Sequence, residues 1–179
     1  MIESLNTLDQ SIFDEVITLD IDCEQLASLE MGCHGTSESD KVFEKLHNNG
    51  MNGRPAIYWF EITSDHTAEM IRNSYSLLKE RIGSRTIPAI NKVYDRDSKV
   101  LYVGKGQANI SGRMFLHLGY QKMGQSQGLQ LSHWDYLGEL KGLKLRINII
   151  YLPAEMKALC SVYELKIAQE FHPILGKHR

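Results

Sequence analysis

The stretch LYVGKG (101–106), followed four residues later by SGRMFLH (111–117), decides how this chain is read. Val100-Leu-Tyr-Val103 has the aromatic and β-branched content of a strand, and Gly104 closes it. Ser111 is placed to cap a helix whose early turns carry Arg113, Phe115, Leu116 and His117, and Gly119 stops it. Arg113 and His117 are four residues apart, so they share one helix face. A strand, a glycine loop and a helix bearing two basic side chains together make an anion site plausible near Lys105. GKG lacks the spacing of a Walker loop, so a nucleoside-triphosphate reading fails.

Toward the N-terminus, Ala56-Ile-Tyr-Trp-Phe-Glu-Ile62 reads as another strand, preceded by the turn-rich NNGMNGRP (48–55). Ser64 or Asp65 is expected to cap the next helix, with Met70, Ile71, Leu77 and Leu78 toward the core and Gly83 at its end. Thr86–Tyr94 is a second extended run, and DRDSK (95–99) is a turn. Thr86–Tyr94 and Lys99–Gly104 are expected to pair as a hairpin. Toward the C-terminus, Leu129–Leu140 is a short helix or an extended-then-helical piece. Leu143–Leu152 is a strand, and Pro153 starts a helix running to about Phe171. Helices interrupting mostly antiparallel strands predict an α+β fold, a small central sheet flanked by helices.

Length and composition agree with one soluble domain plus an appendage: 179 residues, 42% apolar and 23% charged. The polar start MIESLNTLDQ does not resemble a signal peptide, and no apolar run is long enough to span a bilayer. The expected location is cytoplasmic, with no membrane partner. Cys23, Cys33 and Cys160 include no CxxC pair, which argues against a disulfide framework or structural zinc; Cys33 beside His34 lacks a second ligand pair. Residues 1–50 hold two bases against eleven acids, a net −9. The remainder has 18 bases against 11 acids, a net +7. We therefore divide the chain into an acidic N-terminal extension, 1–50, containing the alternating piece Val16–Ile21, and a basic body, 51–179. A basic body suits a polyanion; an ordinary solvated acidic face is the plainer explanation.

Glu164 lies on the last helix among Leu159, Val162, Tyr163, Ile167 and Ala168. A carboxylate taken into apolar surroundings requires a cation or hydrogen-bond partner; otherwise it marks the edge of a solvated face. Trp134, close to Leu129, Leu131 and Leu137, reads as core, with base stacking as the alternative. Lys177, His178 and Arg179 read as a basic tail.

Taken together, these segments resemble the GIY-YIG nuclease superfamily, in particular restriction-type members. Ala56-Ile57-Tyr58 resembles its first signature, with alanine for the first glycine. Tyr102-Val103-Gly104 resembles the second. Arg113 matches the helix arginine, His117 the histidine found one turn later in some restriction enzymes, and Glu164 the metal-binding glutamate. Gly176 stands where the family often has asparagine. The resemblance covers about 55–178, with an apparent insertion at 63–92.

The resemblance implies a metal-dependent endonuclease hydrolysing phosphodiester bonds of DNA, in defence, restriction or mobile-element biology, with RNA left open as a target. Arg113 would bind phosphate, Gly104 and Lys105 would line the phosphate site, and Glu164 would hold one Mg²⁺ or Mn²⁺. Tyr58 would orient or deprotonate the attacking water beside Tyr102, and His117 would assist proton transfer or bind phosphate. A competing alignment puts Asn91 of Ile87-Pro-Ala-Ile-Asn91 in the Tyr58 position, which would leave the site without a phenol. Cutting both strands with one site favours a homodimer or two sequential nicks. The rival function is an inactive nucleic-acid-binding or regulatory module on the same fold.

Overall fold

The computed structural model describes residues 16–26, 42–45, 53–81, 86–92, 94–120 and 127–177. Its sheet has four strands: β1 (Ile17–Asp22), β2 (Ala56–Ile62), β3 (Val100–Gly106) and β4 (Lys144–Tyr151). Their order is β1-β4-β2-β3, and every neighbouring pair is antiparallel. The helices are α1 (Ala68–Arg81), α2 (Ile110–Leu118) and α3 (Cys160–Phe171). This is an α+β fold with helices on both sheet faces.

The sequence AIYWFEI explains why β2 is central. Six of its seven residues are buried, because layers cover both faces. Tyr58, Phe60 and Ile62 join the larger apolar cluster with Ile71 and Tyr75 of α1 and Met114 and Leu118 of α2. Ile57 and Trp59 face the other way, against Cys160, Ile167 and Ala168 of α3. A buried Ile or Leu in either layer contributes roughly 1.5–3 kcal/mol by leaving water.

Residues 17–22, read above as part of the acidic extension, form the outer strand against β4, with Ile17 opposite Ile149 and Ile21 opposite Leu145. The boundary at 50 therefore does not separate them from the sheet. Most of the remaining extension, Cys33, His34, Gly83, His178 and Arg179 lie outside the described residues.

Residues 63–92, read above as an insertion, contain α1. Its cap is Thr67, whose Oγ1 accepts from the Met70 amide, rather than Ser64 or Asp65. The buried stripe is Ala68, Ile71, Tyr75 and Leu78; Met70 is half-buried and Leu77 is exposed. The apolar count favoured Leu77, but the helical period set by Ile71, Tyr75 and Leu78 turns it outward. Similarly, Asn109 caps α2 in place of Ser111, accepting from the Gly112 amide at 2.7 Å. Gly119 ends α2 at φ 100°, as the sequence indicates. Residues 129–140 contain a short 3-10 turn, Leu131–His133. Trp134 is buried there, donating to the Leu129 carbonyl at 2.8 Å and packing on Tyr75. That is the core role, and it hides the ring from stacking on a base. Pro153 leads into a 3-10 segment, Ala154–Leu159, before α3.

The expected hairpin of 86–94 with 99–104 does not form. One edge of β3 is taken by β2. The other receives the C-terminal segment, with the Ile174 and Leu175 amides donating to the Val100 and Leu101 carbonyls at 2.9 Å. The extended run instead lies along that segment. Ile90 bridges Leu175, and the Gly176 amide donates to the Ala89 carbonyl.

Candidate functional site

β2 and β3 are paired so that Tyr58 lies opposite Gly104 and Phe60 opposite Tyr102. This places Tyr58, Tyr102 and Gly104 on the sheet face covered by α2. Arg113 and His117 descend from α2 onto the Tyr58 hydroxyl. The His117 Nε2 lies 2.8 Å from the phenol oxygen, and the Arg113 Nε–H donates to it at 3.1 Å. The charge of Arg113 also acts on Tyr102, and its guanidinium donates to the Gln127 carbonyl at 3.3 Å. Gly104 is needed for this packing. A Cβ there would come within 2.6 Å of the Tyr58 oxygen and 2.7 Å of the Tyr102 ring.

Lys105 lies opposite Ile57, and so on the α3 face. Its Nζ meets a Glu164 carboxylate oxygen at 2.6 Å. The side chains are 30% and 18% exposed, so the pair sits at the mouth of a site rather than on an open surface. The two halves meet because β3 lies at the sheet's edge. A cleft of about 540 Å³ wraps this edge and is lined by Tyr102, Lys105, Gln127, Ser161, Val162, Glu164, Leu165, Gly176 and Lys177. Gly176 adopts φ 113°, a conformation natural to glycine and tolerated by few other residues. Tyr58 is fully buried and is not part of the cleft lining.

Electrostatics follow from this burial. Desolvation, reinforced by Tyr102, pushes the Tyr58 phenol well above its ordinary value, while Arg113 opposes the shift. Burial raises Tyr102 as well, again with Arg113 opposing and Glu164 adding to the rise. Burial and the Arg113 charge hold His117 well below 6.5, so the imidazole is neutral. Burial works against the charge of Arg113 itself. The two tyrosines and Glu164 outweigh it, and its value rises above the ordinary one.

Tyr58, Tyr102, Gly104, Arg113 and His117 thus pack together on the α2 face, while Tyr102, Lys105 and Glu164 line the cleft; the structure does not bring the Tyr58 hydroxyl and Glu164 into one cleft lining. Asn91 lies apart from the Tyr58 hydroxyl cluster in its contacts. Its side chain donates to the Pro173 carbonyl at 2.5 Å and its amide to the Ile174 carbonyl at 3.0 Å. Of the two alignments, the one through Tyr58 brings a phenol to Arg113. Compared with protein-family models, curated proteins and solved structures, the chain matches none of them.

Sequence reasoning missed the Gln127 carbonyl that braces Arg113, the Leu129 amide that meets His117, and Asn91 as a clamp on the C-terminal segment. Backbone groups carry no residue signature, so no sequence signal pointed to the first two. Asn91 carried a signal, a polar amide directly after the apolar run Ile87–Ile90.

Among the described residues, no group of three or more His, Cys, Asp or Glu side chains is placed to hold a metal. The donor chemistry suits one hard cation that takes one or two protein carboxylates and completes its shell with water and substrate phosphate. Glu164, half-buried at a polar cleft, fits that requirement. It does not suit zinc, which favours three or four nitrogen and sulfur ligands. Among the described residues, no helix is long and apolar enough to cross a membrane.

Proposed function

We propose that this chain is a GIY-YIG-type endonuclease that hydrolyses phosphodiester bonds of DNA with one divalent cation. The observation that carries the reading is Arg113. It donates to the buried Tyr58 hydroxyl, and its charge acts on Tyr102, which lines a cleft together with Lys105 and Glu164.

Hydrolysis requires a positioned water, neutralisation of charge on the phosphorus oxygens and support for the leaving oxygen. In this reading Arg113 and Lys105 receive the phosphate, Arg113 through its planar fork and Lys105 as a point charge. Tyr102, at the cleft wall, hydrogen-bonds a phosphate oxygen or the attacking water. Tyr58, buried beside Tyr102 with Gly104 packed against its hydroxyl, takes the water's proton as the phenolate. Mg²⁺ or Mn²⁺ held by Glu164 would supply the charge neutralisation at the leaving oxygen.

One observation favours the rival reading, an inactive nucleic-acid-binding module: Glu164 already has a cation partner in Lys105. Supercoiled plasmid incubated with purified protein separates the two. Nicking with Mg²⁺ or Mn²⁺ that stops in EDTA supports the nuclease. Retarded but uncut DNA in every metal supports the module.

A further inference from the structure

His117 is fully buried and contacts three aromatic rings: Tyr58 and Phe60 of β2, and Tyr102 of β3. Both of its nitrogens are engaged. The Leu129 amide approaches Nδ1 at 3.2 Å. A backbone N–H only donates, so Nδ1 must be the unprotonated nitrogen. In a neutral imidazole the proton then resides on Nε2. The Nε2 group, 2.8 Å from the Tyr58 oxygen, is therefore the donor in that bond. The Arg113 NH2 group, 3.5 Å from the same Nε2, faces another donor, so that approach is a contact and not a hydrogen bond.

We infer that His117 is a fixed hydrogen-bond donor to the Tyr58 oxygen, held in that tautomer by the Leu129 backbone amide, and is neither a proton acceptor nor a phosphate ligand. The Tyr58 oxygen then accepts from two sides, from His117 Nε2–H and from Arg113 Nε–H. Two donors converging on one oxygen favour its anionic form and so oppose the burial that raises the phenol. The imidazole, already protonated on Nε2, does not take the Tyr58 proton. His117 is thus a positioning residue for Tyr58. The groups that act on it are Arg113 on its own helix, Tyr58 and Phe60 on β2, Tyr102 on β3 and the Leu129 amide.

The inference rests on reading Tyr58 as the group that handles the water's proton, but its first test requires no cleavage. Long-range proton–nitrogen spectra of the ¹⁵N-labelled full chain report which ring nitrogen is protonated, with the His117 signals assigned by their loss in His117→Gln. The expected result is a neutral ring protonated on Nε2, unchanged between pH 5 and 8. A proton on Nδ1, or a doubly protonated ring within that range, overturns the assignment. The second test uses cleavage. Gln reproduces an N–H donor near the Nε2 position but accepts no proton at neutral pH. His117→Gln should keep activity within about tenfold of wild type, while His117→Ala falls by ~100-fold or more, the usual scale for a lost hydrogen-bond donor to a developing oxyanion. Equal loss in folded Gln and Ala variants overturns the donor role. Absence of cleavage by the wild type would remove the nuclease reading and leave the tautomer result to stand or fall by the spectra.

Discussion

Gly104 lies directly opposite Tyr58 on adjacent strands, and a single added methyl would come within 2.6 Å of the phenol oxygen. The same methyl would also strike the Tyr102 ring at 2.7 Å. Gly104→Ala should therefore displace both tyrosines at once. Overpacking of this kind costs roughly 1–3 kcal/mol. The expected outcome is a folded protein whose melting temperature falls by several degrees and whose cleavage falls more than tenfold. Circular dichroism melts and plasmid nicking check the two parts separately.

Lys105 holds Glu164 at 2.6 Å, which makes it an internal competitor for any metal that this carboxylate binds. In Lys105→Gln the competition is gone. Mn²⁺ affinity, followed by the loss of free-ion electron paramagnetic resonance signal, should rise severalfold while cleavage falls, since the phosphate loses a charge partner. Weaker or unchanged Mn²⁺ binding would mean that Lys105 supports the metal site rather than competing for it.

His117 also gives the fold a pH dependence. In the folded state burial, with the Arg113 charge, keeps it neutral well below 6.5, whereas in the unfolded chain it titrates near that value. Below about pH 6.5 the unfolded state thus binds more protons, and stability falls as pH falls. The slope from one such group approaches ~1.4 kcal/mol per pH unit until the folded value is reached. Urea melts at pH 7 and pH 5 should show a smaller loss for His117→Gln than for wild type. Parallel losses in the two proteins would contradict the buried neutral state.

How much of this was legible beforehand depended on whether a signal was local. The run AIYWFEI reads as a strand, and the spacing of Arg113 and His117 puts both on one helix face; that the strand is buried on both faces comes from the structure. These two readings fix the Tyr58 cluster. Pairing partners are different. The extended character of 86–92 is visible in its residues, but its partner is Pro173–Gly176, chosen by the Asn91 clamp and by β3 having one free edge. Likewise Val16–Ile21 shows an alternating pattern, yet nothing local says that Ile17 will sit opposite Ile149. Charge bookkeeping drew the boundary at 50 and so assigned a sheet strand to the acidic extension.

That strand changes how the extension is tested. Removing residues 1–50 would delete β1 and expose β4, so an electrostatic test must stop before residue 16. Residues 1–15 contain four acids, Glu3, Asp9, Asp14 and Glu15, and no Lys or Arg. Their deletion should tighten binding to non-specific DNA and steepen its salt dependence. Equal affinities at low salt would deny this segment any electrostatic role.

The most direct test of the central claim sets cleavage against binding in Glu164→Gln. This substitution keeps the size of the side chain and removes the charge that would hold the cation. The account predicts that the purified variant binds DNA about as well as wild type, keeps its circular dichroism spectrum, and no longer nicks supercoiled plasmid in Mg²⁺ or Mn²⁺. Wild-type cleavage should stop when EDTA is added. Undiminished nicking by Glu164→Gln, or wild-type nicking that persists in EDTA, would contradict a nuclease built on one metal at Glu164.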